Sequence, residues 1–166
     1  MKTSSSPPWT IRATARPRRC GPRREAPHMP RSIKQTVTIQ ATPQEIYEAL
    51  MDSRRHAKFT GGSARISRKV GGRFSVFDGY ARGKNLKLVA GRKIVQTWRA
   101  DDWPEGHYST VNFALAKTGR GTRLTFTQTN VPGKYVRSVR KGWTDFYWKP
   151  LKAMLARSRR VLRQAR

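Results

Sequence analysis

Residues 71–98 read GGRFSVFDGYARGKNLKLVAGRKIVQTW, short segments of alternating apolar and polar side chains separated by glycine-containing turns. Alternation with a period of two is typical of β-strands that have one buried face. Gly71-Gly72, Asp78-Gly79 and Ala90-Gly91 mark tight connections, and tight connections favour antiparallel pairing of successive strands. The stretch therefore predicts three strands of one antiparallel sheet, at residues 73–77, 85–89 and 93–99.

Strand patterns also flank this stretch, and they predict four more strands, at residues 32–40, 64–67, 109–116 and 122–129. Thr42, Pro43 and Glu45 form a capping-box pattern after the first of these strands, which predicts a short helix. A second short helix is expected over residues 53–59, because glycines follow it at positions 61 and 62.

A long helix is expected from about residue 136 onwards. Its apolar positions are near helical spacing and include Val139, Trp143, Tyr147 and Leu151. Pro150 lies inside this pattern and is expected to kink the helix or to break one backbone hydrogen bond. The order of elements predicts an α+β fold, in which a curved antiparallel sheet with two short helices after its first strand wraps around the C-terminal helix.

Composition divides the chain into three parts. Residues 1–30 are rich in Ser, Pro and Arg, which predicts a disordered basic tail, and residues 31–157 form the predicted domain. Two explanations of the tail stay open: an organellar transit peptide, or an early start assignment with Met29 as the natural first residue. Residues 158–166 are the basic end of the C-terminal helix. The net charge of +27 would attract polyanions without specifying which.

Few residues suggest catalysis. The only cysteine, Cys20, lies in the tail, which fits a reducing, cytoplasmic location, and no apolar stretch approaches the length of a membrane span. His56 follows Arg54-Arg55 and is expected to be solvated, whereas His107 is expected near the mouth of any cavity. No Cys/His set has metal-ligand spacing, and no nucleophile has an adjacent base. The sequence therefore predicts a protein without catalytic residues, metal or cofactor.

Several short motifs point to one family by their order. They are Ala41-Thr42-Pro43-Gln44-Glu45-Ile46-Tyr47, Phe59-Thr60-Gly61, Gly71-Gly72-Arg73-Phe74, Asp78-Gly79, Gly83, Ile94-Val95-Gln96-Thr97-Trp98, Trp103-Pro104, Gly121-Thr122-Arg123-Leu124 and Gly142-Trp143. Over residues 33–155 the chain resembles the single-domain homologues of the activator of the heat-shock protein 90 ATPase, within the START-like (SRPBCC) superfamily. The resemblance implies a helix-grip fold with a cavity between the sheet and the C-terminal helix.

Aromatic side chains on the predicted strands can face others on the helix, while Gln96 and Gln128 share an inward face with apolar neighbours. A polar group on an inward face needs a hydrogen-bond partner or a ligand. The same aromatic residues can also simply fill the core. The predicted cavity lining consists of Phe74, Val76, Leu88, Gln96, Trp98, His107, Val111, Phe113, Phe126, Gln128, Trp143 and Tyr147.

The leading hypothesis is a non-enzymatic START-like domain that binds a hydrophobic or aromatic small molecule in this cavity. One alternative is a stress- or chaperone-associated protein-interaction module, which the family resemblance implies. Another is a nonspecific polyanion binder, since Lys134, Arg137, Arg140 and Lys149 accompany aromatic residues near the C terminus. Nucleic acid is the less favoured polyanion, because Trp143 already has a core position. A cyclase-like activity of the same superfamily is the most distant alternative.

Overall fold

The structure, a computed structural model, describes residues 29–166, and the predictions made for residues 1–28 lie outside them. The elements are β1 (Arg31–Ile39), α1 (Pro43–Met51), α2 (Ser53–Thr60), β2 (Arg65–Ile66), β3 (Arg73–Val76), β4 (Ala81–Val89), β5 (Lys93–Ala100), β6 (Ser109–Thr118), β7 (Gly121–Val131), a 3₁₀ turn (Gly133–Tyr135), α3 (Val136–Gly142), a π-helical turn (Trp143–Trp148) and α4 (Lys149–Gln164).

The seven strands of residues 29–166 form one sheet in the order β1-β7-β6-β5-β4-β3-β2, and every neighbouring pair is antiparallel. The sheet is curved, and its inner face packs on the helical run that extends from residue 133 to residue 164. Ile94, Trp98, Val111 and Phe126 are buried on this inner face. The predicted α+β helix-grip fold is therefore confirmed.

Local chemistry fixes the two short helices. The Glu45 amide donates to Thr42 Oγ1 at 3.1 Å, and the Thr42 amide donates to Glu45 Oε2 at 2.7 Å. These reciprocal bonds satisfy backbone donors at the start of α1 that the helix itself cannot pair. Gly61 ends α2 with φ of 77°, a left-handed conformation that glycine adopts without steric cost. Both helices are thus confirmed as the sequence predicted them.

The C-terminal helical run is continuous but not uniform. The Lys149 amide donates to the carbonyl of Thr144, five residues back, which is the bond of a π-helix. Pro150 follows directly, in the first turn of α4, where a proline without an amide hydrogen costs little. The expected disturbance at Pro150 therefore takes the form of a wider helical turn before the proline.

A β-bulge in β4 changes the predicted register. Asn85 pairs with Gln96 and Lys87 with Val95, so β4 has one extra residue at position 86. The extra residue leaves Leu86 48% exposed, while Leu88 is half-buried against the core. The period-two spacing of Leu86 and Leu88 in the sequence indicates one shared inward face, but the structure does not have it, because alternation does not continue through a bulge.

Candidate functional site

A very small cavity lies in the interior between sheet and helix. The volume open to the centre of a water molecule is about 20 Å³. That volume suffices for a water molecule, whereas sites for small molecules usually measure roughly 300–1,000 Å³. The lining residues are Leu50, Met51, His56, Ile66, Phe74, Val76, Ile94, Gln96, Trp98, Phe113, Trp143 and Tyr147.

Seven of the twelve predicted lining residues surround this cavity, namely Phe74, Val76, Gln96, Trp98, Phe113, Trp143 and Tyr147. Val111, Phe126 and Gln128 are fully buried in the core but do not line it. Leu88 is half-buried on β4, and His107 bonds through Nε2 to the carbonyl of Asn130 at 2.8 Å. The structure therefore places most of the predicted aromatic residues around this cavity but does not bring Leu88 or His107 to it.

A chain of hydrogen bonds joins the helix to the sheet beside this cavity. The indole N–H of Trp143 donates to Gln128 Oε1 at 2.8 Å, and Gln128 Nε2 donates to Ser109 Oγ at 2.8 Å. Ser109 in turn donates to the carbonyl of Trp98 at 2.8 Å. Gln128 thus has protein partners at both ends of its amide, and the sequence could not distinguish these partners from a ligand.

Two further glutamines on the inner face are paired in the same manner. Gln96 Nε2 donates to Asn85 Oδ1 at 2.9 Å, and Asn85 donates to the carbonyl of Ser67 at 2.6 Å. The indole of Trp148 donates to Gln35 Oε1 at 2.8 Å. Gln35 is absent from the predicted lining, although its position two residues from both Ile33 and Val37 in β1 places it on the same inward face.

His56 lies in the cavity wall and is only 3% exposed, so the expectation of a solvated histidine was wrong. Its ring is 5.0 Å from Phe59 and 5.4 Å from Tyr147, centroid to centroid. Burial lowers the pKa of His56 from 6.5 to about 4, and burial raises the pKa of Tyr147. Both side chains are therefore neutral at physiological pH, in a space that leaves no room for a substrate.

A much larger cleft lies on the opposite, outer face of the sheet, where β2 to β5 meet. Its volume open to a water molecule is about 710 Å³, and the sequence analysis did not single it out. Charged and hydroxyl-bearing side chains dominate the lining, which consists of Arg65, Arg73, Phe74, Ser75, Arg82, Gly83, Lys84, Thr97 and Tyr108. We call this cleft the basic groove.

The basic groove could have been inferred from the polar half of the strand alternation. Arg73 and Ser75 alternate with buried Phe74 and Val76 in β3, so both point away from the core. Arg82 and Lys84 occupy the same phase in β4. The apolar half of each pattern predicts the core, and the polar half places these cations together on the outer face.

No group of three or more His, Cys, Asp or Glu side chains among residues 29–166 is arranged to hold a metal ion. Within the same range, no helix is long and apolar enough to cross a lipid bilayer.

Comparison with known proteins gives a consistent result. A family model described as "Activator of Hsp90 ATPase homolog 1-like protein" matches residues 40–156. The chain is 29% identical over 115 residues to the human Activator of 90 kDa heat shock protein ATPase homolog 1. The aligned region covers 69% of this chain and 34% of the human protein. An uncharacterized protein of Schizosaccharomyces pombe is 32% identical over 122 residues, covering 74% of this chain and 36% of that protein.

The chain therefore spans about a third of the length of these relatives. Among solved structures, a Plasmodium falciparum protein described as an HSP90 activator superposes with a TM-score of 0.69 at 27% identity. That similarity covers 77% of this chain and 96% of the Plasmodium chain.

Proposed function

We propose that this chain, which belongs to the family of Activator of Hsp90 ATPase homolog 1-like proteins, is a protein-interaction module. Its proposed partner is a chaperone of the Hsp90 class. The observation that carries the proposal is the combination of a family match over residues 40–156 with an interior of about 20 Å³. A filled interior favours a domain that works through its surface.

The Plasmodium structure supports this proposal. The protein is described as an HSP90 activator, and the similarity covers 96% of the solved chain. The region shared with this chain is about one domain, whereas it makes up 34% of the human relative. We therefore propose that the domain described here engages the chaperone directly, and that the chaperone's ATPase rate rises as a result.

The proposal includes a role without catalysis by this chain. The interior glutamines Gln96, Gln128 and Gln35 each hydrogen-bond to another side chain, which supports a structural role for them. We also propose a cytoplasmic location and a part in the stress response, because both follow from a chaperone partner of this class.

The direct test is a steady-state ATPase assay with the Hsp90-class chaperone of the same organism. We expect the rate to rise saturably with the concentration of the full chain, and an inhibitor of the chaperone's ATP site should abolish the entire signal. A basic protein of similar charge and unrelated fold is the control for nonspecific electrostatic effects. Absence of both stimulation and binding, measured by analytical ultracentrifugation, would refute the proposal.

A hydrophobic ligand in the interior is a second proposal, favoured by the seven predicted lining residues that meet at one cavity. Binding would require the helical run to move away from the sheet, since an added molecule has no space in the present arrangement. Native mass spectrometry of the full chain with added lipids and aromatic compounds tests this. A bound species would support it, and none across the whole set would remove it.

A further inference from the structure

We infer that the basic groove on the outer face of the sheet binds an acidic segment of a partner protein. The groove is defined by its lining residues on β2 to β5 and Tyr108, and its volume of about 710 Å³ lies within the range of functional sites. The inference rests on the proposed function only in naming the partner as a protein. The affinity for an acidic peptide segment follows from the cations that line the groove.

The charged side chains of the strands are all positive. Among the described residues, no strand contains an aspartate or a glutamate, whereas each of β1 to β7 contains at least one lysine or arginine. In the groove itself Arg65, Arg73, Arg82 and Lys84 contribute four cations. A cleft lined by one sign of charge focuses the field and attracts the opposite charge.

The register of the strands places like charges opposite each other. Arg73 pairs with Lys84 across β3 and β4, and Arg82 pairs with Arg99 across β4 and β5. Like charges directly opposite each other in an antiparallel pair destabilise the sheet. An anion that bridges Arg73 and Lys84 would convert this repulsion into attraction, so the folded protein is arranged to gain from an anionic partner.

One cation of the groove already forms an ion pair with a carboxylate of the protein itself. Arg82 Nη1 is 3.1 Å from Asp101 Oδ1, and the two side chains are 44% and 66% exposed. An ion pair as exposed as this contributes little to stability and exchanges readily. A carboxylate of a partner can therefore replace Asp101 on Arg82 at small cost.

The other groove side chains favour a peptide over a nucleic acid. Ser75, Thr97 and Tyr108 supply hydroxyl groups, and Tyr108, 42% exposed, also supplies an apolar wall. Binding of single-stranded nucleic acid commonly uses several exposed aromatic rings on which successive bases stack. Phe74, the other aromatic residue of the lining, is buried, so the groove offers one such ring.

The test is the fluorescence anisotropy of labelled decaglutamate titrated with the full chain, with a single-stranded oligothymidine in parallel at the same salt concentration. The groove variant is Arg73→Glu combined with Lys84→Glu. The control is Lys34→Glu combined with Arg123→Glu, which makes the same change in net charge on exposed positions of β1 and β7 outside the groove.

We expect the groove variant to bind decaglutamate at least roughly tenfold more weakly, and the control to change affinity by less than about threefold. Equal weakening by both variants would mean that net charge alone drives binding and would overturn the inference. Tighter binding of oligothymidine, lost in the groove variant, would assign the groove to nucleic acid and overturn it as well, as would absence of decaglutamate binding.

Folding of each variant is checked by its thermal unfolding midpoint, and Arg73→Gln combined with Lys84→Gln replaces the groove variant if the latter is unfolded. The peptide titration contains no chaperone, so its result does not depend on the proposed function. If the groove variant loses peptide binding but still stimulates the ATPase of the chaperone, the groove is not the docking site for the chaperone, and the proposed function is unaffected. Peptide binding without stimulation would refute the chaperone proposal alone.

Discussion

His56 is a buried imidazole without a hydrogen-bond partner at Nδ1 among the described residues, and it makes folding depend on pH. Its pKa is about 4 in the folded protein and near 6.5 when unfolded. Between these values the unfolded chain binds more protons, so stability is full above pH 6.5 and falls as pH falls towards 4. The loss attributable to His56 amounts to roughly 3 kcal/mol over that window.

We expect His56→Phe to remove this dependence, since phenylalanine fits the surrounding aromatic rings and does not titrate. Urea unfolding at several pH values between 4 and 7 measures the difference from the original chain. Phe59→Leu alters the same ring cluster without removing a titrating group, so it should lower stability by a similar amount at every pH. Parallel pH curves for His56→Phe and the original chain would contradict the assignment.

The hydrogen bond from Trp143 to Gln128 holds the helical run to the sheet. Trp143→Phe leaves Gln128 Oε1 buried without this donor and opens space, and we expect it to cost about 2–4 kcal/mol. Gln128→Leu removes the acceptor, so the two changes together should cost about 1 kcal/mol less than their sum. Denaturant unfolding of both single variants and the double variant measures this coupling.

A distant pair serves as the control for this cycle. Thr42→Ala removes a helix cap remote from Gln128, and its effect should add to that of Gln128→Leu within about 0.5 kcal/mol. Additivity in the Trp143 cycle as well would show that the indole bond contributes nothing to docking the helix.

At the level of single elements, the sequence predicts well wherever the signal is local. The capping box of Thr42 and Glu45 and the left-handed Gly61 are backbone features encoded within a few residues, and the structure has both. The bulge at Leu86 has no such signature, because an extra residue is defined only by the strand with which β4 pairs. Burial of His56 likewise depends on Tyr147, which is distant in sequence.

Gly83 sets the spacing between β3, β4 and β5. A Cβ at this position would collide with the carbonyl oxygen of Thr97 and would lie 2.9 Å from the ring of Phe74. We therefore expect Gly83→Ala to force the strands apart and to lower the free energy of unfolding by about 1–3 kcal/mol or more. Thermal and urea unfolding of the variant measure this.

Gly119→Ala is the matched control, because a Cβ there meets nothing within 4 Å. Its free energy of unfolding should stay within about 0.5 kcal/mol of the original value. A Gly83→Ala variant as stable as the control would mean that the sheet adjusts freely at this point, and that the position of the basic groove is not fixed by close packing.

For the molecule as a whole, the predicted family and fold are confirmed, but the predicted cavity is much smaller than expected. The sequence located the aromatic residues because burial follows from their type and period. It could not give the volume left between them, since that depends on rotamers such as those that bring the indoles of Trp143 and Trp148 within 5.7 Å of each other.

The predicted domain boundary at residue 157 is tested on the whole molecule by shortening the chain. Beyond Arg157 every side chain up to Arg166 is exposed except Arg159, which is half-buried, and Val161 and Leu162 are 64% and 65% exposed. A chain that ends at Arg157 should therefore lose less than about 1 kcal/mol of stability.

A chain that ends at Lys149 also loses Leu151 and Leu155, both buried, and should not fold, because each leucine contributes roughly 2–5 kcal/mol. Circular dichroism and thermal unfolding of the two shortened chains distinguish these outcomes. If the chain ending at Arg157 unfolds as readily as the one ending at Lys149, the exposed helix end is part of the folded unit and the boundary is wrong.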